Sequence, residues 1–356
     1  MKITHITTER LDLELIQPYT IAYETISAAT NFVLRIETNT GLAGWGCAAP
    51  DPVVTHETPE DVEQAFREVI QPALSGVNPL HYVQVLHELK PHLNRHSSAL
   101  AMVDMALFDL LARKADIPLY QLLGGYRHSI PTSITIGILP IAETMEFAAR
   151  YIADGFFILK LKGGLSVEED IEKIHLLRKK YPKVTLRFDG NQGYSLEEAV
   201  YFYKATKAAG VEIFEQPLSI DQEKLIAAVT GQVSIPVMAD ESLKSLQDVH
   251  RLVKHDSIDM VNIKLMKVGG IWEGMHINSV AKAANMEVMI GCIDECALGI
   301  SAGLHFALSR PNIEFADLDG HIDFKDDPFA GLFALENGIL TPADAPGLGR
   351  IPKRFY

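Results

Sequence analysis

The segment GFFILKLKGG, residues 155–164, has the apolar composition of a buried β-strand but contains two lysines. Side chains alternate between the two faces of a strand, so Lys160 and Lys162 point to the same side. Two glycines, Gly163 and Gly164, follow directly. The segment therefore predicts a buried strand that directs two ammonium groups towards one place at its carboxyl end.

Seven further segments of this kind occur between residues 132 and 319, and amphipathic helical patterns separate them. Reference residues near the ends of successive segments are 24 to 28 positions apart. Eight βα units of steady length predict an α/β protein with a TIM-type (β/α)8 barrel, and a doubly wound open sheet is the alternative. The eight segments are TSITIGI, FFILKLK, VTLRFD, VEIFEQ, IPVMAD, DMVNIK, MEVMIG and IEFADLD.

The first 125 residues have a different pattern, in which strands precede helices. Two strand-like segments flank Asn39-Thr40-Gly41, which predicts an antiparallel hairpin. Thr58 followed by Pro59 predicts a helix start, and a longer helix is expected over residues 98–114. Segregated strands and helices are typical of an α+β domain. We therefore expect three parts: an α+β domain at 1–125, a barrel at 126–323, and a C-terminal segment at 324–356 that returns to the first domain.

Composition narrows the class of protein. The 356 residues carry a formal net charge of -14, which disfavours nucleic acid as a partner because phosphate binding needs a basic surface. No uncharged apolar stretch is long enough to span a membrane, and the N-terminal segment has no apolar core of a secretory signal. Three scattered cysteines predict neither a disulfide framework nor a zinc site. We expect a cytoplasmic protein.

Three neighbouring barrel strands end in carboxylates, at Asp189, Glu215 and Asp240. Strand ends meet solvent and are often charged, but that alone does not explain three adjacent acidic ends flanked by strands that end in lysine. Catalytic groups of barrels lie at the carboxyl ends of strands. Convergent carboxylates repel one another and need a cation, and oxygen ligands suit Mg2+. The three residues therefore predict a magnesium site.

Lysines end the second and sixth strands, which lie across an eight-stranded barrel from each other. Lys162 and Lys264 are therefore expected to face a bound substrate from opposite sides. Repulsion from Lys160 favours a neutral, basic Lys162. Two such groups on opposite faces of one carbon can remove a proton from one side and return it on the other. Lys160 and the metal would stabilise the enediolate formed next to a carboxylate.

The motifs KxK, DxN, EQP, ADES and NIKLMKVGG, in this order on the second to sixth strands, resemble the muconate-lactonizing subgroup of the enolase superfamily. The segment AMVDMALFDLLARKADIPLYQLLGG is also similar to that subgroup. The resemblance covers essentially the whole chain. It implies a modified (β/α)7β barrel with an α+β capping domain, one Mg2+ per subunit and a homo-oligomer. It also implies Asp189, Glu215 and Asp240 as metal ligands, with Lys162 and Lys264 as acid/base catalysts assisted by Lys160.

The segment ADLDG at the eighth strand resembles the DxD motif of dipeptide epimerases, in which two acids hold the substrate's ammonium group. Asp317 and Asp319 fit that role because a primary ammonium donates three hydrogen bonds. An ordinary surface turn is the alternative. The resemblance implies 1,1-proton transfer at Cα of the C-terminal residue of an L,L-dipeptide. N-acylamino acid racemisation, o-succinylbenzoate synthesis, muconate cycloisomerisation and a non-catalytic, metal-dependent peptide-binding barrel stay open.

Specificity is expected from two loops of the cap, residues 16–27 and 47–58. Epimerases acting on Ala-Glu place an arginine in the first segment, where this chain has Glu24. Acids around the outer pocket would repel glutamate and attract a basic side chain, whereas a hydrophobic preference is the alternative. The candidate substrate-binding residues, besides the acids of the DxD motif, are Glu24, Asp51, Asp294 and Thr135. Cys292 and Cys296 are expected to pack rather than react.

Overall fold

The computed structural model describes residues 1–20, 25–255 and 257–356. The N-terminal part begins with a three-stranded antiparallel sheet in the order β1-β2-β3. Gly41, with φ of +79°, lies in the turn that precedes β3, where a residue with a Cβ would be strained. The three strands are β1 (Ile3–Thr20), β2 (Thr25–Thr38) and β3 (Ala43–Ala48).

Five helices follow this sheet in the chain. The first begins as its sequence predicts, because the Thr58 side chain accepts a hydrogen bond from the Asp61 backbone N–H and the Asp61 carboxylate accepts one from the Thr58 N–H. A π-helical turn at Phe66–Ile70 joins α1 to α2. The long helix α4 covers β3 so closely that a Cβ at Gly46 would collide with the Met102 carbonyl oxygen. The helices are α1 (Pro59–Ala65), α2 (Gln71–Leu74), α3 (Tyr82–Leu89), α4 (Ser97–Ala115) and α5 (Leu119–Leu122).

Eight parallel strands follow, in the sheet order β12-β11-β10-β9-β8-β7-β6-β5. A short strand, β4 (Ile130–Pro131), precedes them. The first and last of the eight meet through a parallel bridge between Thr132 and Ala316, which closes the barrel. The eight strands are β5 (Ile134–Ile136), β6 (Ile158–Lys162), β7 (Thr185–Asp189), β8 (Val211–Glu215), β9 (Val237–Ala239), β10 (Met260–Lys264), β11 (Glu287–Gly291) and β12 (Ile313–Asp317).

Helices connect these strands and surround the barrel. Their apolar faces join the buried core, whereas Ile213, Met238, Met260 and Met289 form a separate apolar cluster. Ile213, Met238 and Met289 lie two positions before Glu215, Asp240 and Gly291, whereas Met260 lies four positions before Lys264. Because these spacings are even, the residues at the strand ends face the barrel interior as well. The helices are α6 (Ile141–Ala153), α7 (Val167–Lys180), α8 (Leu196–Thr206), α9 (Glu223–Thr230), α10 (Leu246–Lys254), α11 (Leu265–Val268), α12 (Ile271–Ala283) and α13 (Ala297–Ala307).

The C-terminal segment contacts the N-terminal domain. Its two strands, β13 (Phe333–Glu336) and β14 (Ile339–Pro342), form a small sheet with β4. The backbone N–H of Leu348 donates to Asp109 Oδ1 on α4 at 2.7 Å. The ring of Tyr356 lies 4.8 Å from that of Trp45 on β3. The C-terminal segment therefore makes direct contacts with α4 and β3 of the first domain.

The predicted barrel and the α+β cap are confirmed, and all eight predicted strands are present. The segment 16–27 differs from expectation, because strand pairing continues to Thr20 opposite Thr25 where a loop was predicted. The domain boundaries near residues 125 and 323 stay predictions. Within the described ranges, no helix is long and apolar enough to cross a membrane.

Candidate active site

Three carboxylates converge at the carboxyl ends of adjacent strands. Asp189 ends β7, Glu215 ends β8, and Asp240 directly follows β9. One oxygen from each lies within 4.8 Å of the others, and all three side chains are buried. Burial, and next the charge of Asp189, raise the pKa of Glu215 to about 7. Burial beside another carboxylate therefore disfavours the ionised form of Glu215.

The sequence-predicted Lys160 lies inside this cluster. Its Nζ is 2.7 Å from Glu215 Oε2, 2.8 Å from Asp317 Oδ2 and 3.2 Å from Asp189 Oδ2. Burial acts to lower the pKa of Lys160, but these carboxylates outweigh it and raise the pKa well above the usual value. Lys160 is therefore a fixed positive charge beside the carboxylates.

Asp240 is held from the other side by two lysines. Lys264 Nζ lies 2.8 Å from Asp240 Oδ2, and Lys267 Nζ contacts Asp240 Oδ1 and donates to its carbonyl oxygen at 2.5 Å. Burial opposes ionisation of Asp240, but the charge of Lys264 outweighs it and lowers the pKa of Asp240 well below its ordinary value. The same pairing overcomes burial and raises the pKa of Lys264. The ion pair with Asp240 therefore favours the ammonium form of Lys264.

Several residues that fix the ligands were not anticipated from the sequence. Asn262 donates to Glu215 Oε1 at 2.8 Å, and Lys267 holds Asp240. The Gln216 side-chain oxygen accepts from the Asp240 N–H at 3.0 Å. Glu241 lines the cavity with a buried Oε2 that has no hydrogen-bond partner in the described part of the chain. Strand periodicity could have found Asn262, because it lies two residues before Lys264 and so on the same face.

The donor set fits a magnesium ion. Asp189 Oδ2 is buried and accepts no hydrogen bond from any described residue, although Lys160 is close. A divalent cation bound among these oxygens would satisfy that atom and offset both the burial and the repulsion from Asp189 that raise the pKa of Glu215. All-oxygen ligands with space for further ligands from the adjoining cavity are typical of Mg2+.

Lys162 and Lys264 both line one cavity of about 300 Å³ above the carboxylates. Lys162 ends β6 and Lys264 ends β10. Three strands separate β6 from β10 in either direction around the closed barrel. The predicted arrangement of two lysines on opposite sides of one space is therefore consistent with the order of the strands.

The two acids of the DxD motif lie in the same cavity but have different partners. Asp317 accepts hydrogen bonds from Lys160 at 2.8 Å and from the Ser133 hydroxyl at 2.6 Å. Asp319 Oδ2 accepts from the Thr135 N–H at 2.6 Å, whereas Oδ1 has a long contact to Cys292 Sγ at 3.9 Å. Burial, and next the charge of Asp317, raise the pKa of Asp319 to about 7. Asp319 is the acid with the freer oxygen.

Three of the four predicted specificity residues are described by the structure, and all three line the cavity. Asp51 and Asp294 line the cavity, and Asp51 Oδ1 also accepts hydrogen bonds from the Val53 and Val54 N–H groups at 2.7 Å. Thr135 lines it too, and its backbone N–H holds Asp319. Glu24 lies outside the described residues.

The cysteines are divided between the cavity and the core. Cys292 lines the cavity, so its predicted packing role is only part of its environment. Cys296 is buried, and its Sγ lies 3.6 Å from that of Cys47. Burial and a neighbouring thiol raise the pKa of Cys47 well above its usual value, with the hydrogen bond to Cys296 as the largest cause. These buried thiols are packing groups.

A barrel with three carboxylates on adjacent strands, and lysines on strands across from each other, is the site of a metal-assisted proton-transfer enzyme. Comparison with known families agrees. Residues 143–354 match the family described as "Enolase C-terminal domain-like", and residues 3–124 match "Mandelate racemase / muconate lactonizing enzyme, N-terminal domain". The chain belongs to the enolase superfamily, in its mandelate racemase/muconate lactonizing group.

Similar proteins within this superfamily are dipeptide epimerases. The chain is 41% identical to an L-Lys-D/L-Arg epimerase of Desulforapulum autotrophicum, over 98% of this chain and 99% of that protein. It is 37% identical to an L-Ala-D/L-Glu epimerase of Bacillus subtilis, over 99% and 97%. A dipeptide epimerase of Enterococcus faecalis, solved with Mg and L-Leu-L-Tyr, superposes with a TM-score of 0.95 at 36% identity, over 98% of this chain and 99% of that chain. These relatives differ in the dipeptides that their names give.

Proposed function

We propose that the protein is a Mg2+-dependent dipeptide epimerase that inverts Cα of the C-terminal residue of an L,L-dipeptide. One observation carries the proposal. Two lysines on opposite strands, a buried carboxylate triad and a pair of acids outside the triad all line or adjoin one cavity. The names of the relatives at 37 and 41% identity support the same reaction. A binding protein alone would have no use for lysines on both sides of the substrate carbon.

Asp189, Glu215 and Asp240 would hold the metal. When bound, Mg2+ supplies positive charge that stabilises the negative charge developing on the substrate carboxylate as Cα loses its proton. Lys160 adds a fixed ammonium at the same place, held there by Glu215 and Asp317. Because the site is buried, these charges act with little screening by water.

Lys162 and Lys264 would move the proton. One lysine, as the neutral amine, removes the proton from Cα, and the other, as the ammonium, returns a proton to the opposite face. The roles exchange for the reverse direction. Lys264 is held as the ammonium by Asp240, which is the form that donates. Inversion at Cα follows from the placement of the two groups on opposite strands.

Asp319 would bind the α-ammonium of the dipeptide, with Asp317 supporting the site through Lys160. Asp51 and Asp294 line the cavity and give its outer wall negative charge. We therefore also propose a preference for a cationic side chain on the C-terminal residue. A homo-oligomeric state and a cytoplasmic location remain predictions made from the sequence.

The test is a mass-spectrometric screen of L,L-dipeptide pools incubated with the purified protein and Mg2+ in D2O. We expect a gain of one dalton on particular dipeptides, because proton return from solvent-equilibrated lysine leaves deuterium at Cα. N-acetylated amino acids serve as the control substrates, since they lack the ammonium group. Exchange on those substrates with none on any dipeptide would reject the epimerase assignment and favour an acylamino acid racemase.

A further inference from the structure

One end of the active-site cavity is formed by α6 and by the turn that follows β12. Phe147, Arg150 and Tyr151 of α6 line this end, together with Asp154 at the end of that helix and Asp323 of the turn. None of these five residues takes part in the proton transfer proposed above. They form a wall of aromatic and charged groups beyond Asp319.

The turn places Asp323 close to the ammonium-binding acid. The Ile322 N–H donates to the Asp319 carbonyl oxygen at 2.9 Å, which closes a turn of residues 319–322 directly before Asp323. The Asp323 carbonyl oxygen accepts from the Ile16 N–H of β1 at 2.6 Å. The backbone of Asp323 is therefore fixed between the barrel and the cap, and its position relative to Asp319 is set by the fold.

The side chains at this end have unused hydrogen-bonding capacity. Asp323 is half-buried, and no hydrogen bond or ion pair to its carboxylate occurs within the described part of the chain. Tyr151 is 6% exposed, and the side chain of Arg150 approaches its hydroxyl. Tyr151 and Asp323 line the same cavity, and burial, followed by the charge of Asp323, raises the pKa of Tyr151 to about 12.

The charges here favour a cation. Burial raises the pKa of Asp323 to about 6, and Arg150 opposes that shift, so the carboxylate is largely ionised at neutral pH. Arg150 is the positive group of this wall, but it is exposed, and its guanidinium lies 4.7 Å from the Phe147 ring centroid. Water screens an exposed charge much more than a half-buried one. Asp154 adds a second, exposed carboxylate.

We propose that Asp323 binds the side chain of the dipeptide's N-terminal residue and selects lysine or arginine at that position. The inference rests on the proposed function, because Asp319 must hold the α-ammonium for the N-terminal side chain to reach this wall. The carboxylate accepts hydrogen bonds from the cationic head, the Tyr151 hydroxyl accepts another, and the rings of Phe147 and Tyr151 cover the aliphatic stem. An acidic side chain would meet Asp319 and Asp323 and be repelled.

The experiment compares dipeptides that share a C-terminal residue. Exchange at Cα is followed for L-Lys-L-Ala, L-Met-L-Ala and L-Glu-L-Ala, so that only the N-terminal side chain changes while its length stays similar. We expect kcat/KM of the wild-type protein to be at least about tenfold higher for L-Lys-L-Ala than for L-Met-L-Ala. The Asp323→Asn variant should lose most of that ratio. Asp326→Asn, which removes the same charge from an exposed residue outside the cavity, should keep it.

The outcomes separate the two levels of the proposal. Exchange on none of the three peptides, nor on a wider dipeptide pool, would overturn the proposed function itself. Exchange without a preference for lysine, or a preference that Asp323→Asn leaves intact, would overturn the Asp323 assignment alone. Faster turnover of L-Glu-L-Ala than of L-Lys-L-Ala would also overturn it and assign selection to Arg150. Loss of the lysine preference in Asp323→Asn with retention in Asp326→Asn would support it.

Discussion

The two halves of the active-site cavity are built in different ways. The strand-end half, formed by Lys160, Asp189, Glu215, Asp240 and Lys264, is buried, and its charges are paired at 2.7 to 3.2 Å. The side-chain half, formed by the cap segments, α6 and the turn after β12, holds partly or fully exposed acids such as Asp51, Asp154 and Asp323. Barrel register fixes the first half, whereas loops and helix ends supply the second.

The difference shows how one scaffold can keep its chemistry while its substrates change. The relatives share 36 to 41% identity and the same architecture, yet their names give different dipeptides. We expect a change in the side-chain half to alter which residue is accepted without moving the groups that act on Cα. Changes in the strand-end half should therefore affect every substrate, and changes in the side-chain half should affect only some.

The largest effect is expected from removing either proton-transfer lysine. Lys162→Ala and Lys264→Ala should each lower epimerisation by about 10²- to 10⁴-fold, because each removes one general acid/base. The two variants should differ in which epimer still exchanges its Cα proton, since each lysine faces one side of that carbon. Deuterium incorporation measured separately from the L,L- and L,D-dipeptides checks this.

The matched control for this pair is Lys204→Ala, an exposed lysine on α8. It should retain full activity, and all three variants should bind Mg2+ because none is a metal ligand. Equal residual exchange from both epimers in Lys162→Ala and Lys264→Ala would contradict the placement of the lysines on opposite faces of Cα.

The strand-end half was largely predictable from the sequence. Even spacing of the strands identified their carboxyl ends, and alternation of side chains identified which residues point inward. That reasoning found Lys160, Asp189, Glu215 and Lys264, but it stopped at the last charged residue of each strand. It therefore overlooked Lys267, which lies in the short helix α11 after β10, where strand alternation no longer applies.

The side-chain half was much less predictable, because no repeating pattern fixes the direction of a loop residue. Asp51 was expected to face substrate, but its Oδ1 also accepts hydrogen bonds from its own loop. Asp323 was not anticipated at all. Its place in the cavity depends on a hydrogen bond to Ile16, about 300 residues away in the chain. Long-range pairing of this kind leaves no local signal in the sequence.

A second, smaller effect is expected from replacing a residue that orients a metal ligand in the strand-end half. Asn262→Leu should weaken Mg2+ binding by about 10- to 100-fold, because Glu215 Oε1 loses the amide that orients it. The substitution is close in volume and does not change charge, so a direct electrostatic effect on the cation is avoided. Isothermal titration calorimetry with Mg2+ measures the change. Asn278→Leu, at a buried amide on α12, is the control, and an equal loss there would indicate general damage to the barrel.

The smallest expected effect is a pH dependence of kcat/KM that arises from Asp319, which lies between the two halves of the cavity. The pKa of Asp319 is raised to about 7, first by burial and then by Asp317, so the carboxylate becomes protonated as pH falls below 7. A protonated Asp319 no longer attracts the substrate ammonium. With saturating Mg2+, kcat/KM for a dipeptide should therefore be about tenfold lower at pH 6 than at pH 8. Asp319→Asn should have low activity without this step. If the same step near pH 7 persists in Asp319→Asn, another group controls it, and the ammonium is bound elsewhere.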